Sequence, residues 1–320
     1  MPNHPCATRI ITLLFCAGAM AVSAQNYPTR SIRIVTAEAG GGSDLPARVV
    51  AQNLSPVLGH PVVVDNRGGV LVVGEIVAKA APDGYTLLFF GNSLWTLPLM
   101  RSKMNYDAAK DFTPITLAIV TPTMLVVHPS LPVNSVKDLV ALAKSKPGQL
   151  LYSSAAAGTG NHLAAELFKS MTGTDMVRVA YKGHPSALNA VVSGEVQVFF
   201  PIVGPGIAQV NAGKLKALAV TTAQPTPLAP GLPTVAASGL PGYASVFQAG
   251  LFAPTGTPAA IISRLNREAV QILKRTDVKE RLLSMGMEAV GSSPQEFAAA
   301  IKNEVAVMGK VIKDAGIRDE

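Results

Sequence analysis

Short apolar runs alternate with amphipathic stretches through the first two thirds of the chain. Ile32-Arg33-Ile34-Val35 predicts a strand, and Leu45, Val49 and Val50 mark one face of a helix from Asp44 to about Asn53. Pro46 suits that helix's first turn, where no N–H is needed, and Pro56 predicts its end or a kink. Val62-Val63-Val64 predicts a strand, Val73 to Ala81 a helix, Tyr85 to Phe90 a strand, then Phe112 to Ile119 and Met124 to Val127 two more. The pattern resumes with a helix from Ser135 to about Ser145, a strand at Leu150–Ser154, and a helix carrying Leu163, Leu167, Phe168 and Met171. A strand Val177–Tyr181, a helix Ser186–Ser193, a strand Val196–Phe200, a helix Gly206–Ala212 and a strand Leu215–Thr221 follow. Strands and helices in this alternation predict a parallel α/β architecture.

Beyond residue 221 the pattern changes. Gln224 to Gly242 is rich in proline and glycine, which suits a surface connection or hinge. Thr257 and Pro258 predict the N-cap and first residue of a helix with Ile261, Leu265 and Ile272 inward. Ser293, Pro294 and Glu296 read as N-cap, N1 and N3 of a capping box before Phe297, Ile301, Val305, Met308 and Ile312.

The N-terminus has another character. Arg9 is the one charged residue among the first 24, Ile10 to Val22 is apolar or small, and Val22-Ser23-Ala24 is a cleavage site before Gln25. Residues 1–24 therefore read as a signal peptide, the thirteen-residue run being too short for a membrane span. The rival is a lipoprotein signal anchored at Cys16, but Cys16 lies mid-run after the bulky Phe15. Both cysteines, Cys6 and Cys16, fall in this segment, so a mature chain carries no disulfide, thiolate nucleophile or cysteine metal site. Loss of Arg9 lowers the formal net charge by one from +7. The remaining basic residues are scattered and aromatics make up 5% of the chain, which argues against nucleic acid as a partner.

Two turns carry the chemistry. AGGGSDLPAR (39–48) follows the first strand and AAAGTGNHLAAELF (155–168) follows the Leu150 strand. Each opens a helix, where unpaired backbone N–H groups and the helix dipole favour an anion. Two such turns in separate units predict two lobes with an anionic ligand between them. The catalytic inventory is otherwise mostly empty: His60, His128, His162 and His184 have no paired spacing for zinc, and no G-x-S-x-G elbow, Walker loop or G-x-G-x-x-G is present. Asp44 and Asp65-Asn66-Arg67 follow strands, a place for a catalytic carboxylate, but read rather as a helix-start aspartate and a turn-forming pair. No enzyme activity, metal or cofactor is expected.

The ordered set YPTRSIRIV, GG-x-D-x-x-AR, PVVVDNR, AKAAPDGYTLL, DFTPIT, KPGQLLYSSA, HLAAELFKSMTG, YKG, AGKLKALAVTT, LPTVAASGLPGY and F-APTGTP resembles the Bug family, the extracytoplasmic solute receptors of tripartite tricarboxylate transporters. The resemblance runs from Tyr27 to Gly316. It implies a periplasmic binding-protein fold, two α/β lobes joined by two crossovers and closing over one ligand. The lobes would comprise 25–125 with 246–320, and 126–245. The implied partners are a small organic acid and the transporter's membrane subunits, with the receptor itself a monomer. The implied site takes Gly40, Gly41, Gly42, Ser43 and Asp44 from the first turn, with Asp44 shaping the turn, and Asn92 and Ser93 after the Phe90 strand. From the second lobe it takes Ser154, Gly158, Thr159, Gly160, Asn161, His162, Tyr181, Lys182 and Gly183. Thr159 reads either as a donor to a carboxylate or as an ordinary N-cap, and His162 as a structural hydrogen-bonding residue.

The chain departs from the family pattern at Gly68–Val73, at Ala156, at His184 and around Pro201. The loss of an acidic wall residue near Pro201 disfavours an ammonium-bearing ligand, and the apolar substitutions favour a carboxylate with an apolar or aromatic body. Trp95 is either a stacking surface for such a body or part of the core. A sensor for a membrane signalling partner is the alternative within binding proteins; a secreted hydrolase is the alternative class, disfavoured by the missing nucleophile motif.

Overall fold

The computed structural model describes residues 27–318 except 38, 41 and 156. The expected signal peptide at 1–24, the expected site residue Gly41 and the departure at Ala156 lie outside the described residues. Eleven strands form two sheets among the described residues. The first has the order β11-β4-β10-β3-β1-β2, with β1 Ile32–Thr36, β2 Val62–Asn66, β3 Thr86–Gly91, β4 Phe112–Pro122, β10 Val246–Pro254 and β11 Glu288–Ala289. The second has the order β7-β6-β8-β5-β9, with β5 Met124–Val127, β6 Leu150–Ser154, β7 Met176–Ala180, β8 Val198–Phe199 and β9 Lys216–Val220.

Neither sheet is purely parallel, a correction to the pattern-based expectation. β1 runs parallel to β2 and β3, but β10 is antiparallel to both β3 and β4. In the second sheet β6 is parallel to β7 and β8, whereas β5 is antiparallel to β8 and β9. The cause is the crossover. The chain leaves the first sheet at the C-terminal end of β4 and enters the second as β5 after one residue, Thr123. It therefore enters at the edge where the other strands of that sheet finish, and must run against them. β10 repeats this on the return. The two crossings are bonded to each other: Thr221 N–H donates to Thr123 O (2.9 Å), Ser245 N–H to Thr221 O (3.0 Å), and the Thr123 and Thr221 hydroxyls share a 2.6 Å hydrogen bond.

Helices cover both faces of each sheet. Alternation along β3 sends Leu87 and Phe89 to one face and Leu88 and Phe90 to the other, all buried. The first face packs α1 (Asp44–Leu58), α8 (Ala259–Lys274) and α9 (Thr276–Ser284). The second packs α2 (Val70–Ala78), α3 (Ser93–Thr96) and α10 (Pro294–Asp314). Trp95 is buried there against Phe252 and Phe297, so it belongs to the core. In the second sheet Leu125 and Val127 face α4 (Val136–Ser145) and α5 (Gly160–Thr172), and Met124 and Val126 face α6 (His184–Val192) and α7 (Val203–Asn211). Helix α10 also reaches the second core, where Met308, Val311 and Ile312 join Leu163, Leu167 and Tyr243.

Local signals hold with shifts of a few residues. The capping box at Ser293 and Glu296 forms as expected. Helix α1 runs through Pro56 to Leu58 and ends on left-handed Gly59, past the expected stop near Asn53. Helix α8 takes Pro258, not Thr257, as its N-cap. The largest omission is β10, whose apolar run is broken by Gln248 and Gly250. Gly250 is demanded by packing, since a Cβ there would stand 2.3 Å from Thr116 O and 2.5 Å from the Phe297 ring. Gly250→Ala is expected to lower stability by about 3 kcal/mol through overpacking, read as a reduced midpoint in chemical denaturation.

Candidate functional site

The two glycine turns follow β1 and β6 and face each other across the space between the sheets. In each, a glycine with positive φ gives its N–H to a side chain four residues on. Gly40 (φ 78°) donates to Asp44 Oδ2 at 2.8 Å, and Gly158 (φ 74°) donates to His162 Nδ1 at 3.0 Å. Asp44 is buried, and its Oδ1 accepts from Asn66 Nδ2 (2.8 Å) and Arg48 Nε (2.9 Å). Burial pushes its carboxyl up, but the hydrogen bonds from Gly40, Asn66 and Arg48, with the Arg48 charge, outweigh this and hold it below the usual range. His162 is buried as well. Desolvation first, then the positive charge of Arg178, lowers its pKa to about 4, so near neutral pH it is an uncharged acceptor. Both residues shape turns.

The amides that come next are differently placed. Helix α5 begins at Gly160, and its first N–H groups, at Gly160, Asn161 and His162, have no helical carbonyl to bond. The Thr159 hydroxyl donates to Asn161 Oδ1 (2.7 Å) and does not cap the helix. A cavity of about 400 Å³ lies against Gly160 and Asn161. Gly42 borders it from the first turn and Ala155, Thr159, Gly160 and Asn161 from the second. Its floor is the crossover, with Thr121 and Thr123 from one strand and Ser245, Val246 and Phe247 from the other. His184, Phe200, Ile202, Met285 and Met287 complete the wall. A second chamber of about 320 Å³ is bordered by Val70, Asn92, Ser93, Thr96, Leu97, Met100, Ala157, Gly158 and Leu163, and shares Thr159, Gly160 and Phe247 with the first. No Asp, Glu, Lys or Arg is among the described residues lining either chamber.

Of the residues singled out from sequence, Gly42, Thr159, Gly160 and Asn161 border the main cavity, and Asn92, Ser93 and Gly158 the second. Gly40, Ser43, Asp44, Ser154, His162, Tyr181, Lys182 and Gly183 border neither. Ser154 is fully buried and accepts from Arg178 Nε at 2.6 Å. The Tyr181 hydroxyl donates to Glu195 (2.9 Å), and Lys182 is exposed. Asn92 donates to Glu304 Oε1 of α10 (2.8 Å), whose other oxygen takes the Trp95 indole N–H (2.9 Å). Burial pushes the Glu304 carboxyl up, and the bonds from Asn92 and Trp95 oppose this. His184, a departure from the family pattern, heads α6 and accepts the Ile202 N–H on Nε2 (3.1 Å); burial lowers its pKa. Thr121, Thr123, Ser245, Phe247, Met285 and Met287 were not singled out as ligand-site residues. The alternation of Thr121 and Thr123 about Pro122 could have marked the first two; the methionines carry no such signal.

Two α/β lobes around an inter-lobe cavity define the architecture of a solute-binding protein. Residues 46–317 match the model of the tripartite tricarboxylate transporter family receptor, and the chain belongs to that family of solute receptors. It is 33% identical to Protein BugT of Bordetella pertussis over 303 residues, 93% of each chain. R. palustris Rpa4515, solved with adipate, is 36% identical, with a TM-score of 0.74 over 91% of this chain and 99% of that one. MatC of Rhodopseudomonas palustris, solved with bound malate, is 28% identical, with a TM-score of 0.70 over 89% and 100%.

The His162 environment fixes a pH dependence. An unfolded chain protonates this imidazole near 6.5, the folded one near 4, so the folded state disfavours the proton. The contribution to stability is complete above pH 6.5 and is lost as pH falls toward 4, by up to about 3 kcal/mol. His162→Asn keeps an acceptor for the Gly158 N–H but removes the titration. Its denaturation free energy is expected to fall less steeply between pH 6.5 and 4 than that of the parent protein.

Proposed function

We propose that this chain is a periplasmic receptor, exported by cleavage after Ala24, that captures a small organic acid and delivers it to the membrane subunits of a tripartite tricarboxylate transporter. The observation that carries the ligand class is the meeting of helix α5's first amides, unpaired among the described residues, with a cavity whose described lining carries no charged side chain. An anion there is held by aligned N–H dipoles, and an ammonium group finds no carboxylate among the described lining residues. Relatives solved with adipate and malate point the same way. Phe200, Ile202, Phe247 and the two methionines favour an acid with an apolar or aromatic body. The lobes, roughly 25–125 with 246–320 and 126–245, close by pivoting at the paired crossovers, so that the Gly40–Ser43 and Gly158–Asn161 turns converge on one ligand. The receptor acts as a monomer, without a cofactor or nucleic acid.

A thermal-shift screen of aliphatic and aromatic carboxylates tests the ligand class, since a ligand of the folded state raises the melting temperature. Failure of every acid, with an amine or sugar stabilising instead, would sink the reading. Gly160→Pro probes the amides directly. Position 160 is the first of α5, Thr159 is already extended (φ −69°, ψ 157°), and proline is tolerated there while lacking the N–H. Loss of one charge-assisted hydrogen bond should weaken the best acid by about ten- to a hundredfold, measured by calorimetry, with helicity retained. Small-angle scattering with and without that acid should record a smaller radius of gyration when it is bound; identical profiles would exclude closure.

A further inference from the structure

Two further cavities share Pro98 and Leu99 of the single 3-10 turn Leu97–Leu99. One, of about 720 Å³, is larger than either chamber of the cleft; it takes Arg101 and Lys103 from the chain after that turn and Arg318 from the chain after α10. No Asp or Glu is among its described lining residues, and Lys103 and Arg318 are exposed. The other, of about 400 Å³, is bordered chiefly by Trp95, Leu99, Tyr106, Ile301 and Val305. Asp107, the acidic residue in its described lining, is paired with Lys110 at 2.9 Å. Three like charges around one depression repel one another and attract an anion, and half-buried apolar side chains beside them gain from being covered. An apolar centre flanked by arginine and aromatic side chains is the composition of a protein interface.

This double depression backs on the cleft. Met100 borders both the basic cavity and the second chamber, and it packs on the second glycine turn: a Cβ on Gly158 would stand 2.5 Å from Met100 Cε. Trp95 borders the apolar cavity and shares the Glu304 carboxylate with Asn92, which borders the second chamber. A partner seated here touches side chains coupled to the ligand space at two points. It also rests on α10, the helix packed into the cores of both lobes.

We propose that this double cavity is the surface on which the transporter's membrane subunits dock, and that its occupant is a protein segment with carboxylates beside an apolar side chain. The carboxylates enter among Arg101, Lys103 and Arg318, and the apolar side chain fills the cavity at Trp95 and Val305. The inference rests on the reading of this chain as a transporter receptor and adds the face and the chemistry by which it is recognised. A small anion or an anionic lipid surface would use the basic cavity alone. The apolar cavity joined to it favours a protein partner.

The test measures binding of the receptor to vesicles carrying the membrane subunits of its transporter, and to protein-free vesicles of phosphatidylethanolamine and phosphatidylglycerol. The parent protein should bind the first and not the second, and less tightly as sodium chloride is raised. Lys103→Glu combined with Arg318→Glu should weaken that binding at least about tenfold at low salt. Lys214→Glu combined with Lys279→Glu makes the same number of charge reversals at exposed positions, one after α7 and one on α9. Those helices cover the sheet faces opposite α10, so this pair should bind as the parent does. Ala109→Trp fills the apolar cavity and should weaken binding with the salt dependence retained. Each variant should keep the parent's melting temperature and its response to adipate, since none of these positions borders the cleft. Equal loss from the two charge-reversed pairs would reduce the effect to net charge and overturn the proposal. So would equal binding to protein-free vesicles, or transporter binding untouched by Ala109→Trp. Should the parent bind neither vesicle, with or without adipate, the transporter reading itself falls and the proposal with it.

Discussion

The clasp between a positive-φ glycine amide and the side chain four residues later fixes both edges of the cleft. Gly40 is held by Asp44 and Gly158 by His162. Each bond satisfies a turn amide inside the protein and so settles which later amides are left to face outward. The two lobes reach this geometry with different chemistry. On Asp44 the clasp is charged and is compensated by Arg48 and Asn66. On His162 it is neutral, and a proton on Nδ1 would convert the acceptor into a donor and break it. The second turn therefore depends on an unprotonated imidazole in a way the first does not.

Much of this was legible in sequence because it is local. Apolar alternation, the capping box at Ser293 and Glu296, and the strand–turn–helix units around Gly40 and Gly158 are each written within a dozen residues. The antiparallel strands were not, because β5 and β10 owe their direction to the crossover and not to their own composition. Gly250 hid β10 further: it reads as a break, yet it is required by the approach of Thr116 and Phe297. The same distinction applies at the cleft. Residues on the turns could be named from sequence, whereas Thr121, Phe247 and the Met285–Met287 wall meet only when strands far apart in the chain pair. Tyr181 and Lys182 lie next to a cavity-facing unit in sequence, but Tyr181, just past the end of β7, turns its hydroxyl to Glu195.

The lobes are joined by more than their two strands. The Thr123–Thr221–Ser245 bonds tie the crossings side by side, and helix α10 lays Phe297 in one core and Met308 and Ile312 in the other. Glu304, between them on the same helix, receives Asn92 and Trp95 of the first lobe beside Val246, whose carbonyl also accepts from Asn92. Relative motion of the lobes must accordingly slide or bend this helix as well as turn the strands. The helix couples the cleft to the C-terminal end of the chain.

The absence of charged side chains from the described cavity lining bears on how the site responds to its surroundings. A pocket that opposes an anion with lysine or arginine trades part of its attraction for salt, because bulk ions compete with the same charges and screen them over about 8 Å at physiological ionic strength. Oriented amide dipoles inside a desolvated cleft hold no condensed counter-ions and present no net charge for salt to neutralise. For the site as proposed, ionic strength then acts on the approach of the ligand, through the basic excess of the chain, and much less on the lifetime of the ligand once it is enclosed. Such a site separates capture rate from retention, so that a change in external salinity alters how often it fills and not how firmly it holds.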